Sequence, residues 1–116
     1  MAIARQLLSA STNGKAIKVV ATASTGTTIH TAVSGTTSWD QVWVWASAPT
    51  ATAAINLTLE WGGTTSPDNL TVIPIPPAFG QVLVVPGWLL NNSLVFTAFA
   101  GSANLITLTG YVDRIT

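Results

Sequence analysis

Turn-forming residues interrupt this chain about every ten positions, which leaves room for short strands and little else. The breaks fall at Asn13-Gly14, Gly26, Gly35, Pro49, Gly62-Gly63, Ser66-Pro67-Asp68-Asn69, Pro76-Pro77, Gly80, Pro86-Gly87, Asn91-Asn92 and Gly101-Ser102. Between them lie runs rich in Val, Ile, Thr, Leu and Trp. Many short β-prone runs bounded by Gly, Pro and Asn are the pattern of a sandwich or barrel. The spacing predicts strands over about 16–23, 27–33, 40–48, 53–61, 70–75, 80–85, 93–99 and 104–115.

Two of these runs say more. In 53–61 the apolar Ile55, Leu57, Leu59 and Trp61 alternate with Asn56, Thr58 and Glu60, which predicts one face on a core and one in water. In Asp40–Ala48 both faces are apolar, with Val42, Val44 and Ala46 opposite Trp43, Trp45 and Ser47. Such a strand is expected to be covered on both sides. The 93–99 run has the same character, Leu94, Phe96 and Ala98 facing away from Val95, Thr97 and Phe99. Residues 2–9 are too short for a stable isolated helix, so residues 1–14 are expected to form an extended N-terminal arm and 15–116 one β-sandwich domain.

The chain of 116 residues is one domain's length, and its charge content constrains the surface. Only Arg5, Lys15, Lys18, Arg114, Asp40, Glu60, Asp68 and Asp113 are charged, 7% of the residues, against roughly 25% in a typical soluble domain. A monomer of this mass exposes about 6,000 Å², which eight charges cannot cover. A surface of Thr, Ser, Ala, Asn and apolar groups with zero net charge suits assembly with other protein better than life as a free monomer. The absence of a basic patch argues against nucleic acid or an anionic membrane as partner. The absence of any long apolar run argues against a membrane-spanning helix. Without Cys the chain is indifferent to redox compartment, and without a signal-peptide pattern at its start it is expected to be made in the cytosol.

Residues for chemistry are few. The single His30 has no nucleophile elbow or marked carboxylate beside it in sequence and is expected to be an ordinary surface or interface histidine. Glu60 and Asp68 are the only carboxylates in one neighbourhood. Glu60 reads as a wet-face strand residue, and Asp68 as a Pro-Asp-Asn turn residue capping its own backbone. Neither a zinc nor a calcium ligand set is present, and Gly62-Gly63 lacks the Lys and helix of a phosphate loop. No catalytic residue, cofactor or metal is expected.

The five tryptophans stand out in a chain so short. Trp61 reads as core. Trp39, Trp43, Trp45 and Trp88, with Phe99, read as anchors of a protein–protein interface, where aromatic rings on uncharged patches concentrate binding energy. Stacking of Trp43 and Trp45 on a glycan is the alternative. It is disfavoured by flanking Val, Ala and Ser in place of groups that hold sugar hydroxyls.

Three stretches, Leu57–Leu70 (LTLEWGGTTSPDNL), Val84–Asn92 (VVPGWLLNN) and Thr109–Ile115 (TGYVDRI), in that order and spacing, resemble small β-sandwich virion proteins of tailed bacteriophages, most closely the capsid decoration or cement class. The resemblance covers most of residues 13–116 and lies in turns and strand ends, so it transfers no functional residue. It implies a structural protein on the outer capsid surface, partnered by the major capsid protein and by copies of itself, a homotrimer favoured over a dimer. A tail, neck or baseplate position is the alternative within the same virion. The expected fold is an antiparallel β-sandwich of about eight strands, jelly-roll-like or Ig-like.

Overall fold

The computed structural model describes residues 2–116 and is all-β, with nine strands in two antiparallel sheets. In chain order these are β1 (Ile3–Leu7), β2 (Ile17–Lys18), β3 (Thr27–Thr31), β4 (Trp39–Ser47), β5 (Ile55–Trp61), β6 (Leu70–Ile75), β7 (Val82–Leu90), β8 (Val95–Ala100) and β9 (Thr107–Ile115). One sheet runs β1-β9-β4-β7 with β2 also on β9, and the other runs β3-β8-β5-β6.

The pairing is nested. β5 pairs with β6, β4 with β7, β3 with β8 and β2 with β9, as in one long hairpin. Rolling that hairpin over itself adds the β4–β9 and β5–β8 contacts and closes the two layers, which is the jelly-roll arrangement. β1 and β2 share one edge of β9, opposite residues 111–115 and 107–108 respectively. They are two halves of a single strand position interrupted by residues 8–16, so the sandwich has about eight strand positions. Residues 1–14 were expected to be an arm apart from the domain. Ile3–Leu7 is extended but lies in the chain's own sheet, and Leu8 is part of the core.

The core is aliphatic and sits between the layers. Val42, Val44 and Ala46 of β4, Leu108 and Val112 of β9 and Val84 and Val85 of β7 meet Ile55, Leu57 and Leu59 of β5 and Phe96, Ala98 and Ala100 of β8. The expected inward set of 53–61 is therefore the one buried. Trp61 packs at the edge of this core, edge-on to Trp88 at 5.3 Å between ring centres and tilted against Phe96 at 5.1 Å.

Where the strands differ from the sequence reading, the cause is local. β7 continues through Pro86-Gly87, read above as a turn. It is the edge strand of its sheet, so Pro86 removes no ladder hydrogen bond. The β4–β7 register slips twice, between Val42 and Trp43 and between Val44 and Trp45, which leaves Gly87 and Val84 as extra residues on β7. The first slip turns Trp88 to face inward opposite Val42, and the second buries Val84 and Val85 together. In the 65–69 turn it is Asn69 that caps, accepting from the Thr65 N–H at 3.1 Å and donating to the Trp61 carbonyl at 3.2 Å. Asp68, expected in that role, is exposed.

Candidate interaction face

The outer side of the five-stranded sheet is built by alternation. On β4 the even-numbered side chains point into the core, so Trp39, Gln41, Trp43 and Trp45 point out. Pairing sets their neighbours in rows across the sheet. Ile3, Ile115 and Trp39 form the first row, and Arg5, Asp113, Gln41 and Leu89 the second. Leu7, Tyr111, Trp43 and Pro86 form the third, and Thr109, Trp45 and Leu83 the fourth. Ile3, Leu7, Trp39, Leu83 and Leu89 are 42–62% exposed, so this is an apolar surface in contact with solvent. The second side of β4, expected to be covered, is covered only in part by its own chain.

The rings are held in place. Gly87, at φ +84°, has no side chain, and a Cβ there would lie 2.7 Å from the Trp43 ring, so the indole rests on the β7 backbone. Trp45 leans on Tyr111 at 6.1 Å between ring centres. The Arg5 guanidinium lies 4.3 Å above the Tyr111 ring and donates to Asp113 at 2.9 and 3.3 Å. Its hydrogen bond to Asp113 and that carboxylate's charge hold the guanidinium pKa above its ordinary value. These two formal charges thus cancel each other, and Lys18, opposite Thr107 on β2, adds an unpaired charge at the far end of this side.

The remaining charges are mostly hidden. Asp40, buried on β4, accepts from Arg114 at 2.8 and 3.0 Å, from His30 Nε2 at 2.7 Å and from the Val33 N–H at 3.1 Å. Burial pushes its carboxyl pKa up, but the Arg114 and His30 hydrogen bonds and the Arg114 charge outweigh that and leave it below the usual range. His30 is buried as well, because a bulge at Ile29 turns both residues inward; it is not the surface or interface histidine expected from sequence. The Ser9 amide N–H donates to Nδ1 at 3.0 Å, so Nε2 carries the proton that goes to Asp40. Ser9 Oγ accepts from the Thr31 N–H at 2.7 Å. Both ring nitrogens are committed within the fold, and the cluster ties β3 of one sheet to β4 and β9 of the other.

Glu60 is the second buried carboxylate and corrects its reading as a wet-face residue. It does point away from the core, but the 24–26 loop folds over it. It accepts from Ser24 Oγ at 2.6 Å, the Gly26 N–H at 2.7 Å and Thr97 Oγ1 at 2.7 Å. Burial raises its pKa, and these three donors outweigh burial and bring it below the ordinary value.

Of the eight charged side chains, Lys15, Lys18 and Asp68 alone are exposed and outside an ion pair among the described residues. The molecule exposes 5870 Å², so three free charges decorate the area of a normal monomer. The sequence-predicted interface residues divide. Trp39, Trp43 and Trp45 share the outer face described here. Trp88 is turned into the end of the sandwich against Trp61, and Phe99 lies on the outer side of the other sheet, opposite Thr58. Sequence reasoning missed Ile3, Leu7, Leu83 and Leu89. Period-2 alternation on a strand assigned as an arm and on one ended at residue 85 could have found them.

Among the described residues no group of three or more His, Cys, Asp or Glu side chains is placed to hold a metal ion, and no helix is long and apolar enough to cross a membrane. No protein-family model, curated protein or solved structure matches the chain.

Proposed function

We propose that the chain is a structural virion protein of a tailed phage, of the decoration or cement kind, that binds the outer capsid lattice and stabilises it as a homo-oligomer. The observation that carries the reading is the outer face of the β1-β9-β4-β7 sheet. It is aromatic and apolar, with its Arg5 and Asp113 paired, on a molecule with three free surface charges. Monomeric proteins rarely leave a contiguous apolar patch of this kind uncovered. The resemblance of 57–70, 84–92 and 109–115 to virion proteins supplies the setting. Jelly rolls serve in viral capsid and lectin domains alike, so the fold does not choose between them, and the apolar character of the surface supports the first.

Incubating purified protein with undecorated shells tests the proposal. Saturable binding at lattice-defined stoichiometry, with a raised shell melting temperature, is the expected result. No binding to shells, together with immunogold label on the tail, neck or baseplate, would overturn the capsid assignment in favour of the other virion positions. One observation favours a glycan reading as the second choice: Trp45, Gln81 and Thr109 border a shallow hollow of about 290 Å³. A glycan array settles it, since binding abolished by Trp45→Ala supports that reading and a blank array retires it.

A further inference from the structure

We infer that two copies of the chain associate through the outer face of the five-stranded sheet, packed sheet against sheet about a two-fold axis. This rests on the homo-oligomer reading above, takes a two-fold pair where the resemblance favours a trimer, and adds which surface closes the contact.

Three observations select a second copy as the occupant. The first is charge. Arg5 and Asp113 pair with each other on this face at 2.9 Å, and Arg5 also covers Tyr111. Burying the rows from Ile3 to Leu83 therefore strands no charge, and Lys18, beyond them opposite Thr107 on β2, stays at the rim of the contact. A partner recognised by electrostatic complementarity would find little to complement on these rows. An apolar, self-neutral counterpart is what the surface fits, and another copy carries one.

The second is size. Four strands abreast at about 4.8 Å, up to nine residues long at about 3.3 Å each, make a face near 20 by 30 Å. With the relief of its side chains such a face approaches the roughly 800 Å² per partner of a standard interface. The rows from Ile3 to Trp39 and from Leu7 to Pro86 run across the sheet, so a rotated copy can lay ring against aliphatic chain over most of it. Contact of one patch with the same patch closes with two-fold symmetry.

The third is the state of the alternatives. Edge strands β7 and β6 carry Pro86 and Pro74, which lack the N–H that strand addition needs. The outer side of the other sheet is uneven, because the 24–26 loop lies over Glu60 and Thr97, and what it leaves exposed is mixed, Thr28 with a hydroxyl and Val72 without.

Light scattering coupled to size exclusion, at tens of micromolar protein, tests the inference on the intact chain. The expected mass is twice the 12.0 kDa of one chain. Leu83→Arg and, separately, Leu89→Arg alter half-exposed positions that the fold does not need buried, and each should weaken association at least tenfold while circular dichroism stays unchanged. Val72→Arg, exposed on β6 of the other sheet, should leave the mass unaltered. A monomeric wild type overturns the inference; if that monomer still occupies shells, the decoration reading stands without it. An oligomer that ignores both leucine variants, or one that Val72→Arg dissociates, also overturns it and leaves self-association standing on a different surface.

Discussion

Asp40 joins the two layers of the sandwich through a single carboxylate. One oxygen takes the Arg114 Nε of β9, and the other takes Arg114 Nη2, His30 Nε2 of β3 and the Val33 amide. Removing it leaves a guanidinium, an imidazole N–H and an amide with no acceptor, in a site where such groups have little water to turn to. Breaking a buried pair from one side costs about 3–5 kcal/mol. Arg114 retains some exposure, so Asp40→Ala is expected near the lower end, about 3 kcal/mol, read as a shift in denaturant midpoint. Asp40 and Glu60 also set the acid limit. Both have folded pKa values below their ordinary ones of about 4. Their contribution is complete above that range and is lost as pH falls through the folded values, because the unfolded chain takes up protons first. Melting temperature should therefore fall as pH drops below about 4. Glu60→Gln should lower it at neutral pH, by about 1–3 kcal/mol of stability, and make the acid limb shallower. An acid limb equally steep in that variant would remove Glu60 from the account.

At the scale of strands, closeness of backbone is the constraint that composition conceals. Gly110 of β9 faces Val44 of β4, and a Cβ there would meet the Trp43 carbonyl oxygen and come within 2.9 Å of the Val44 Cα. Backbone cannot yield as a side-chain tip can, so Gly110→Ala should separate β4 from β9 at the centre of the sheet. A loss of more than 2 kcal/mol is expected, on the order of an overpacked core, checked by chemical denaturation. The alternation of Ile55, Leu57, Leu59 and Trp61 was legible because a period of two has one meaning in a half-buried strand. The outer-face Trp39, Trp43 and Trp45 were legible for the same reason. Trp88 was not, since Pro86-Gly87 reads as a turn and ends the strand at residue 85, which leaves Trp88 outside any alternation. Glu60 and His30 were misread because their partners, Ser24, Gly26 and Thr97 in one case and Ser9 and Asp40 in the other, are distant in the chain or without signature. The place of the N-terminal segment was hidden for another reason: Ile3–Leu7 has a strand's sequence, but its partner strand lies more than 100 residues away.

For the whole molecule, the distribution of charge fixes how association should respond to solvent. Five of the eight formal charges are consumed inside the fold or in the Arg5–Asp113 pair, which leaves Lys15, Lys18 and Asp68 free among the described residues. Long-range steering between copies is therefore weak, and raising salt from 0.05 to about 0.5 M, which shrinks the screening length severalfold, has little attraction or repulsion to screen. Burial of Trp39, Trp43, Trp45 and the leucines around them is a hydrophobic event and follows other levers. It strengthens with sulfate and, near room temperature, with warming, and it carries a negative heat-capacity change. The dissociation constant of the oligomer should then change less than about threefold over that range of sodium chloride, tighten in ammonium sulfate, and weaken on cooling toward 5 °C. Isothermal dilution calorimetry at two temperatures measures both the constant and the heat capacity. A dissociation constant rising tenfold or more with sodium chloride would assign the contact to Lys15, Lys18 or Asp68 in place of the aromatic face.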